Sequence, residues 1–279
     1  MNIIQAILMG IVQGLSEFLP ISSSAHLVFT SNFYKVFKGI EITETSSQEV
    51  FFDIMLHLGT LIAVLIFFRK DIMEILKAMW NTLKTHQYSD EKAKIGFYIL
   101  IGTVLTVMVA YPLNEVAETL VFAPMIVGIL LIGTGVLLFT SEKYSSHIKK
   151  QEQIDLKTAL LMAIAQGIAA LPGFSRSGLT IATGLFRKLD RTTAARFSFL
   201  LSIPIILGAS MVYPLIKLNF AEVVRYDWVE IIIGTIVSGI VGYLCIKYFL
   251  KFVSKFSLNI FAIYCVAMGI FTTVFFALH

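Results

Sequence analysis

The chain has 279 residues, 57% of them hydrophobic and 14% charged, with 23 phenylalanines and a formal net charge of +4. A water-soluble globular domain carries about a quarter charged residues, so water is excluded as the main solvent of this chain. The basic residues never gather into a run dense enough to hold nucleic acid, and Cys245 and Cys265 lie inside apolar runs as packed thiols without ligand or redox spacing.

The first basic residue is Lys35, so no cationic stretch precedes the first apolar run and a cleavable secretory signal is not expected. Segment 3–38 opens the chain as an apolar, helix-like run interrupted near its middle by Pro20 and the cluster Ser22-Ser23-Ser24, with Glu17 and His26 on either side. Three full crossings are expected next, at 51–68, 95–112 and 121–139, each apolar over about the 20 residues that a hydrocarbon core requires. Segment 156–187 repeats the interrupted pattern around Pro172, Ser175, Arg176 and Ser177. Crossings at 197–216, 228–249 and 257–278 complete the chain.

Lys and Arg counts orient these elements, because short cytoplasmic loops collect them. Loop 69–94 holds Arg69, Lys70, Lys77, Lys84, Lys92 and Lys94; loop 140–157 holds Lys143, Lys149, Lys150 and Lys157; loop 187–196 holds Arg187, Lys188, Arg191 and Arg196. These three are expected in the cytoplasm. Loops 39–50 and 113–120 carry Glu41, Glu44, Glu49, Glu115 and Glu118 but no Lys or Arg, which places them outside. Both placements agree only if the interrupted segments are re-entrant hairpins, the first entering from outside and the second from the cytoplasm.

An internal repeat points the same way. Ala6-Ile7-Leu8-Met9 with Gln13-Gly14 recurs at constant offset as Ala159-Leu160-Leu161-Met162 with Gln166-Gly167, and Ser22-Ser23-Ser24-Ala25 falls on Ser175-Arg176-Ser177-Gly178. Each copy, 1–140 and 141–279, is one hairpin followed by three crossings, and the odd number inverts the second copy against the first. The expected fold is an all-α integral membrane protein with inverted-topology repeats, whose interrupted helices meet near the bilayer midplane.

The chemistry concentrates at the two interruptions. In the first, Gln13 and Glu17 are four residues apart on one helical face, and Ser23 and His26 three apart on another. The serines can cap the second helix and aim its N-terminus inward. In the second, Ser175, Ser177 and Thr180 surround Arg176, whose planar fork suits a phosphate oxygen pair, while Gly173 and Gly178 let backbone approach closely. A charge at this depth is costly and is ordinarily paired; Glu17 and Arg176 read as residues converging on one phosphate, with a purely structural bridge between them as the alternative. Taken singly, Ser22, Ser24, Ser177 and Thr180 read equally well as helix-packing hydroxyls. Asp53 and His57, one turn apart on the following crossing, read either as supporting partners or as interfacial residues. His86, His147 and His279 read as solvated.

At these motifs the sequence resembles the undecaprenyl-diphosphatase family of the bacitracin-resistance type, which is marked by a (Glu/Gln)-x-x-x-Glu segment leading into a Ser-rich loop and by Pro-Gly-x-Ser-Arg-Ser-x-x-Thr. Gln13 and Glu17 match the first, residues 172–180 match the second, and the likeness in length and segment order covers essentially the whole chain. The resemblance implies hydrolysis of undecaprenyl diphosphate to undecaprenyl phosphate and phosphate, in a bacterial inner membrane, at a site opening outward. It also implies recycling of the cell-wall lipid carrier and resistance to bacitracin.

Catalytic roles are expected for Glu17, Ser23, His26 and Arg176, and substrate binding for Ser22, Ser24, Ser175, Ser177, Thr180 and Gly173. A divalent cation, Mg²⁺ or Ca²⁺, is expected at Glu17; Gln13 stands where many relatives have Glu, which weakens it as a direct ligand. Ser23, His26 or a water could each attack the phosphorus, and a homodimer is left open. An acid-phosphatase-like motif set fails, because after Ser175-Arg176 the position requiring His is Ala182. The rival of another class is an inverted-repeat transporter or lipid-phosphate flippase.

Overall fold

The structure, a computed structural model, describes residues 2–39, 47–145, 154–217, 223 and 226–278. Glu41, Glu44, His147, Lys149, Lys150 and His279 lie outside them. Among the described residues the chain forms helices and no strands. In order these are α1 (Ile3–Ser16), α2 (Ser23–Lys38), α3 (Ser47–Phe67), α4 (Arg69–Thr85), α5 (Glu91–Ala110), α6 (Asn114–Leu120), α7 (Pro124–Tyr144), α8 (Leu156–Ile168), α9 (Arg176–Phe186), α10 (Arg191–Lys217), α11 (Trp228–Val253) and α12 (Asn259–Leu278).

Six stretches are long and apolar enough to cross a membrane: α3, α5 continued through α6, α7, α10, α11 and α12. With 14 and 11 residues, α1 and α9 rise only about 21 and 16 Å, short of a hydrocarbon core of about 30 Å. Several boundaries differ from the hydropathy pattern. Residues 113–120, expected as a loop, continue helically from α5 through a 3-10 turn at Tyr111–Leu113 into α6. Loop 69–94 contains the helix α4, and α10 starts at Arg191, where Asp190 accepts hydrogen bonds from the Thr193 N–H at 2.9 Å and its hydroxyl at 2.6 Å. Hydropathy marks the hydrocarbon boundary, whereas a helix runs on through polar residues until its backbone groups are capped.

The interruptions fall where the serines predict. Between α1 and α2 the chain turns through Glu17–Ser22, and the Ser22 hydroxyl accepts from the Ala25 N–H to cap α2. Ser175 caps α9 in the same way, accepting from Gly178 N–H at 3.1 Å.

Lipid is as apolar as leucine, so burial of side chains does not by itself drive these helices together; close backbone approach and hydrogen bonding do. Exposed Ile62, Val104, Ile129, Ile236 and Phe271 can therefore face lipid without penalty. The α1–α11 contact shows the principle. A Cβ on Gly10 would lie 2.6 Å from the Gly234 carbonyl oxygen, and one on Gly14 would lie 2.8 Å from that of Ser238. Ser238 in turn donates to the Leu56 carbonyl at 2.8 Å, clasping α3 to the other side of α11.

Gly14→Val is expected to force these backbones apart at a cost of about 1–3 kcal/mol and to displace Glu17, which continues from the same helix. A melting temperature in detergent equal to that of the unsubstituted chain would refute this account of the contact.

Elsewhere α7 packs along α12, α8 along α5, and α9 is enclosed by α7, α8 and α10. Phe18, fully buried in the first turn region, meets Phe199 of α10 edge to face at 5.2 Å. That contact ties the first interruption to the second half of the chain.

Candidate active site

The two interruptions meet at an ion pair. Arg176 Nη2 donates to Glu17 Oε1 at 2.6 Å across 159 positions of sequence, with both side chains largely buried. The other carboxylate oxygen, Oε2, accepts from the Ser23 hydroxyl at 2.7 Å and from Gln13 Nε2 at 3.0 Å. His57 Nε2 stands 3.6 Å from the same oxygen. Glu17 is thus the hub, reached by α1 through Gln13, α2 through Ser23, α3 through His57 and α9 through Arg176.

The loops are stitched reciprocally. Ser22 Oγ donates to the Phe174 carbonyl at 3.3 Å, and Ser177 Oγ donates to the Leu19 carbonyl at 2.9 Å. Each hairpin therefore donates a serine hydroxyl to a carbonyl in the turn of the other, that of Leu19 also accepting from the Ile21 N–H at 2.8 Å.

Two polar atoms at the hub lack partners. Among the described residues, Arg176 Nη1 is buried with no acceptor, and Gln13 Oε1 is buried with no donor. An unpartnered buried group costs about 1–3 kcal/mol, so Arg176 Nη1 is available to an acceptor and Gln13 Oε1 to a donor or cation; Gln166 Oε1, at the corresponding position of the second interruption, is unpartnered too.

His26 stands apart from the hub. Its Nδ1 lies 2.8 Å from the Ser22 carbonyl oxygen, which can only accept, so Nδ1 carries the proton; Nε2 then accepts from the Tyr264 hydroxyl at 2.7 Å. The two rings stack at 5.7 Å. The Ser23 hydroxyl donates to Glu17 rather than to His26.

The remaining expected residues divide. Ser24 lines a cavity of about 590 Å³ between α1, α2 and α3. Lys35, Asp53 and His57 contribute to its polar part, and Met9, Leu27 and Phe52 to its apolar part. Ser175 is an N-cap, and Thr180 is fully buried, with its hydroxyl on Ser198 Oγ at 2.6 Å and on the Arg176 carbonyl at 2.8 Å. Gly173 has φ +104°, and a Cβ there would lie 2.5 Å from the Val127 carbonyl oxygen, so its close neighbour is α7. Thr134 of α7 joins this loop by accepting from Ser175 N–H at 3.1 Å and donating to the Gly173 carbonyl at 3.3 Å. Sequence reading missed Tyr264, Thr134 and Ser198: each is a single hydroxyl in an apolar run with no motif around it.

The arrangement offers a guanidinium suited to an anion, a hydroxyl hydrogen-bonded to a carboxylate, and an adjoining cavity lined by both polar and apolar side chains. Comparison with known proteins agrees with this chemistry. The family model described as bacitracin resistance protein BacA matches residues 6–271. The undecaprenyl-diphosphatase of Methanobrevibacter smithii is 40% identical, over 97% of this chain and 96% of the relative. That of Desulforudis audaxviator is 37% identical over the same shares, and undecaprenyl-diphosphatase 1 of Pseudoalteromonas translucida is 36% identical over the full length of both. The motifs around Glu17 and Arg176 are thus part of a likeness that runs through nearly the whole sequence, and the chain belongs to the bacitracin resistance protein BacA family.

Proposed function

We propose that the chain hydrolyses undecaprenyl diphosphate to undecaprenyl phosphate and inorganic phosphate, returning the lipid carrier to cell-wall synthesis and so conferring resistance to bacitracin. The observation that carries this reading is the Ser23–Glu17–Arg176 cluster with its unpartnered Nη1, in a chain whose relatives are named undecaprenyl-diphosphatase. Arg176 and the capped N-termini of α2 and α9 bind the terminal phosphate. Ser23 Oγ passes its proton to Glu17 and bonds to the terminal phosphorus; the bond from that phosphorus to the bridging oxygen breaks, and undecaprenyl phosphate leaves. A water oxygen then bonds to the phosphoserine phosphorus, the bond from that phosphorus to Ser23 Oγ breaks, Oγ takes back the proton held on Glu17, and His26, one turn along α2, accepts the water's proton once its Tyr264 bond is given up.

A divalent cation, Mg²⁺ or Ca²⁺, fits this donor set. Glu17 and the unpartnered Gln13 Oε1 are the hard oxygen ligands that would hold it, the Gln13 amide, which now turns its Nε2 to Glu17, having to rotate to do so. Among the described residues no three His, Cys, Asp or Glu side chains converge on a metal site, which suits a cation whose other ligands are substrate oxygens. When bound it would neutralise diphosphate charge.

The fold supports an inverted repeat. Exchanging α1, α3, α5 and α7 for α8, α10, α11 and α12 turns the α1–α11 pair into α8–α5 and the α3–α11 pair into α10–α5, both of which are present, and returns α7–α12 to itself. In that plan α1–α2 and α8–α9 are re-entrant hairpins and the basic loops are cytoplasmic. The cavity, lined by Lys35, Gln48 and Glu49 next to the loop that lacks Lys and Arg, then opens to the outer side of the cytoplasmic membrane.

The deciding measurement is phosphate release from undecaprenyl diphosphate by the purified chain in detergent, with and without Mg²⁺ or Ca²⁺. Cation-dependent release is expected; no release from a folded sample would overturn the assignment. Because His26 must give up its Tyr264 bond before it takes a proton, Tyr264→Phe should raise kcat by up to about ten-fold with KM unchanged, the worth of one buried hydrogen bond. An unchanged kcat would leave Tyr264 with packing alone.

A further inference from the structure

The helix α4 carries three stripes of different chemistry. Ile75, Ala78 and Thr82 are buried, the first against Ile95 and Ile99 of α5. Met73, Leu76, Trp80 and Leu83, at helical spacing, form a second stripe and are all more than half exposed. Lys70, Lys77 and Lys84 recur every seventh residue and border this apolar stripe on the side away from the buried face. The two acidic residues of the helix have partners on other helices, Asp71 with Arg196 at 2.5 Å and Glu74 with Lys92 at 2.8 Å, although Glu74 also feels the charges of Lys70 and Lys77.

An exposed Trp at the centre of an apolar stripe edged by lysines cannot be explained by packing within the chain. It matches the composition of helices that lie at a membrane interface, where the indole sits at headgroup level and lysine stems reach outward to lipid phosphates. The helix also follows directly on α3, whose last residue is Phe67, so it starts at the end of a crossing.

We propose that α4 is an anionic-lipid docking surface: its Met73–Leu83 stripe inserts into the headgroup boundary of the cytoplasmic leaflet, and Lys70, Lys77 and Lys84 recruit phospholipids of negative headgroup charge. Each lysine close to an anionic surface strengthens association by about five-fold at physiological ionic strength, so three aligned lysines select local lipid composition without touching the active site. The surface is independent of the proposed hydrolysis.

Trp80 reports on it directly. The chain has two tryptophans, and Trp228→Phe leaves Trp80 as the sole emitter. Its fluorescence would be followed in vesicles of brominated phosphatidylglycerol diluted in phosphatidylcholine, and in the reverse mixture with the bromine on phosphatidylcholine at the same mole fraction. Quenching about two-fold stronger by the brominated anionic lipid is expected, and the Lys70→Gln, Lys77→Gln, Lys84→Gln variant should quench equally in both. Absence of quenching in either mixture would place the stripe in water, and equal quenching before the lysines are changed would remove the anionic preference; either result overturns the proposal. Phosphate release by the triple variant in detergent should equal that of the unsubstituted chain, which verifies its fold.

Discussion

Arg176→Ala is expected to lower kcat/KM for phosphate release by about a thousand-fold, the upper range for loss of one charged group aimed at a reacting phosphate. In the proposed mechanism the guanidinium serves two partners at once: Nη2 holds Glu17 at 2.6 Å, and Nη1, buried with no acceptor among the described residues, takes a phosphate oxygen. Arg176→Lys should recover little, about ten-fold at most, because a point charge cannot bridge a carboxylate and a phosphate as a planar fork does. Removing the cation also leaves Glu17 charged and buried, a destabilisation of about 3–5 kcal/mol for such pairs. The double variant Arg176→Ala, Glu17→Gln separates the two effects. Its melting temperature should return toward that of the unsubstituted chain while phosphate release stays absent. Release within ten-fold of normal from Arg176→Lys would show that charge alone, and not the fork, is what the site uses.

The two interruptions were the most legible feature of the sequence. Glu17 and Arg176 each sit in an apolar segment that cannot tolerate an isolated charge, which marked both residues; their direct pairing was only the structural alternative to a shared role on phosphate. The serine clusters declared the two helix starts for a similar reason, since buried N–H groups require acceptors and hydroxyls after a turn supply them. The six crossings followed from length and hydropathy, but their ends did not: helix α6 and the first turns of α10 are polar, and capping at Asp190 sets the start of α10.

Side-chain direction was the least legible property. His26 lies only about 60° around α2 from Ser23, on the same face, yet Ser23 meets Glu17 while the histidine meets Tyr264, which lies 238 positions away in an unmarked apolar run. Gly173 read as a place for a ligand, whereas its missing side chain admits the α7 backbone. Thr180 belongs to a recognisable motif, but its hydroxyl is spent on Ser198 and the Arg176 carbonyl. Spacing can say which residues share a face; it does not say what that face meets.

The hub at Glu17 separates the roles of its neighbours in a second experiment. Ser23→Ala is expected to lower phosphate release by about four orders of magnitude or more, as for other nucleophile losses, because no other hydroxyl donates to the Glu17 carboxylate among the described residues. Glu17→Gln should cost about 10²–10⁴-fold, the usual worth of a positioned proton acceptor. If Ser23 and Glu17 act in one step, the double variant should be no worse than Ser23→Ala alone, since a base has nothing to deprotonate once the hydroxyl is gone. Acid quenching during turnover of substrate labelled at the terminal phosphate should leave label on Ser23, and Glu17→Gln should slow its appearance. Ser23→Ala retaining activity within ten-fold of normal would assign the attack to a water instead, with Glu17 still the nearest base. The 2.7 Å contact between Ser23 and the Glu17 carboxylate favours the hydroxyl, because a serine already donating into that carboxylate needs no intervening molecule to lose its proton.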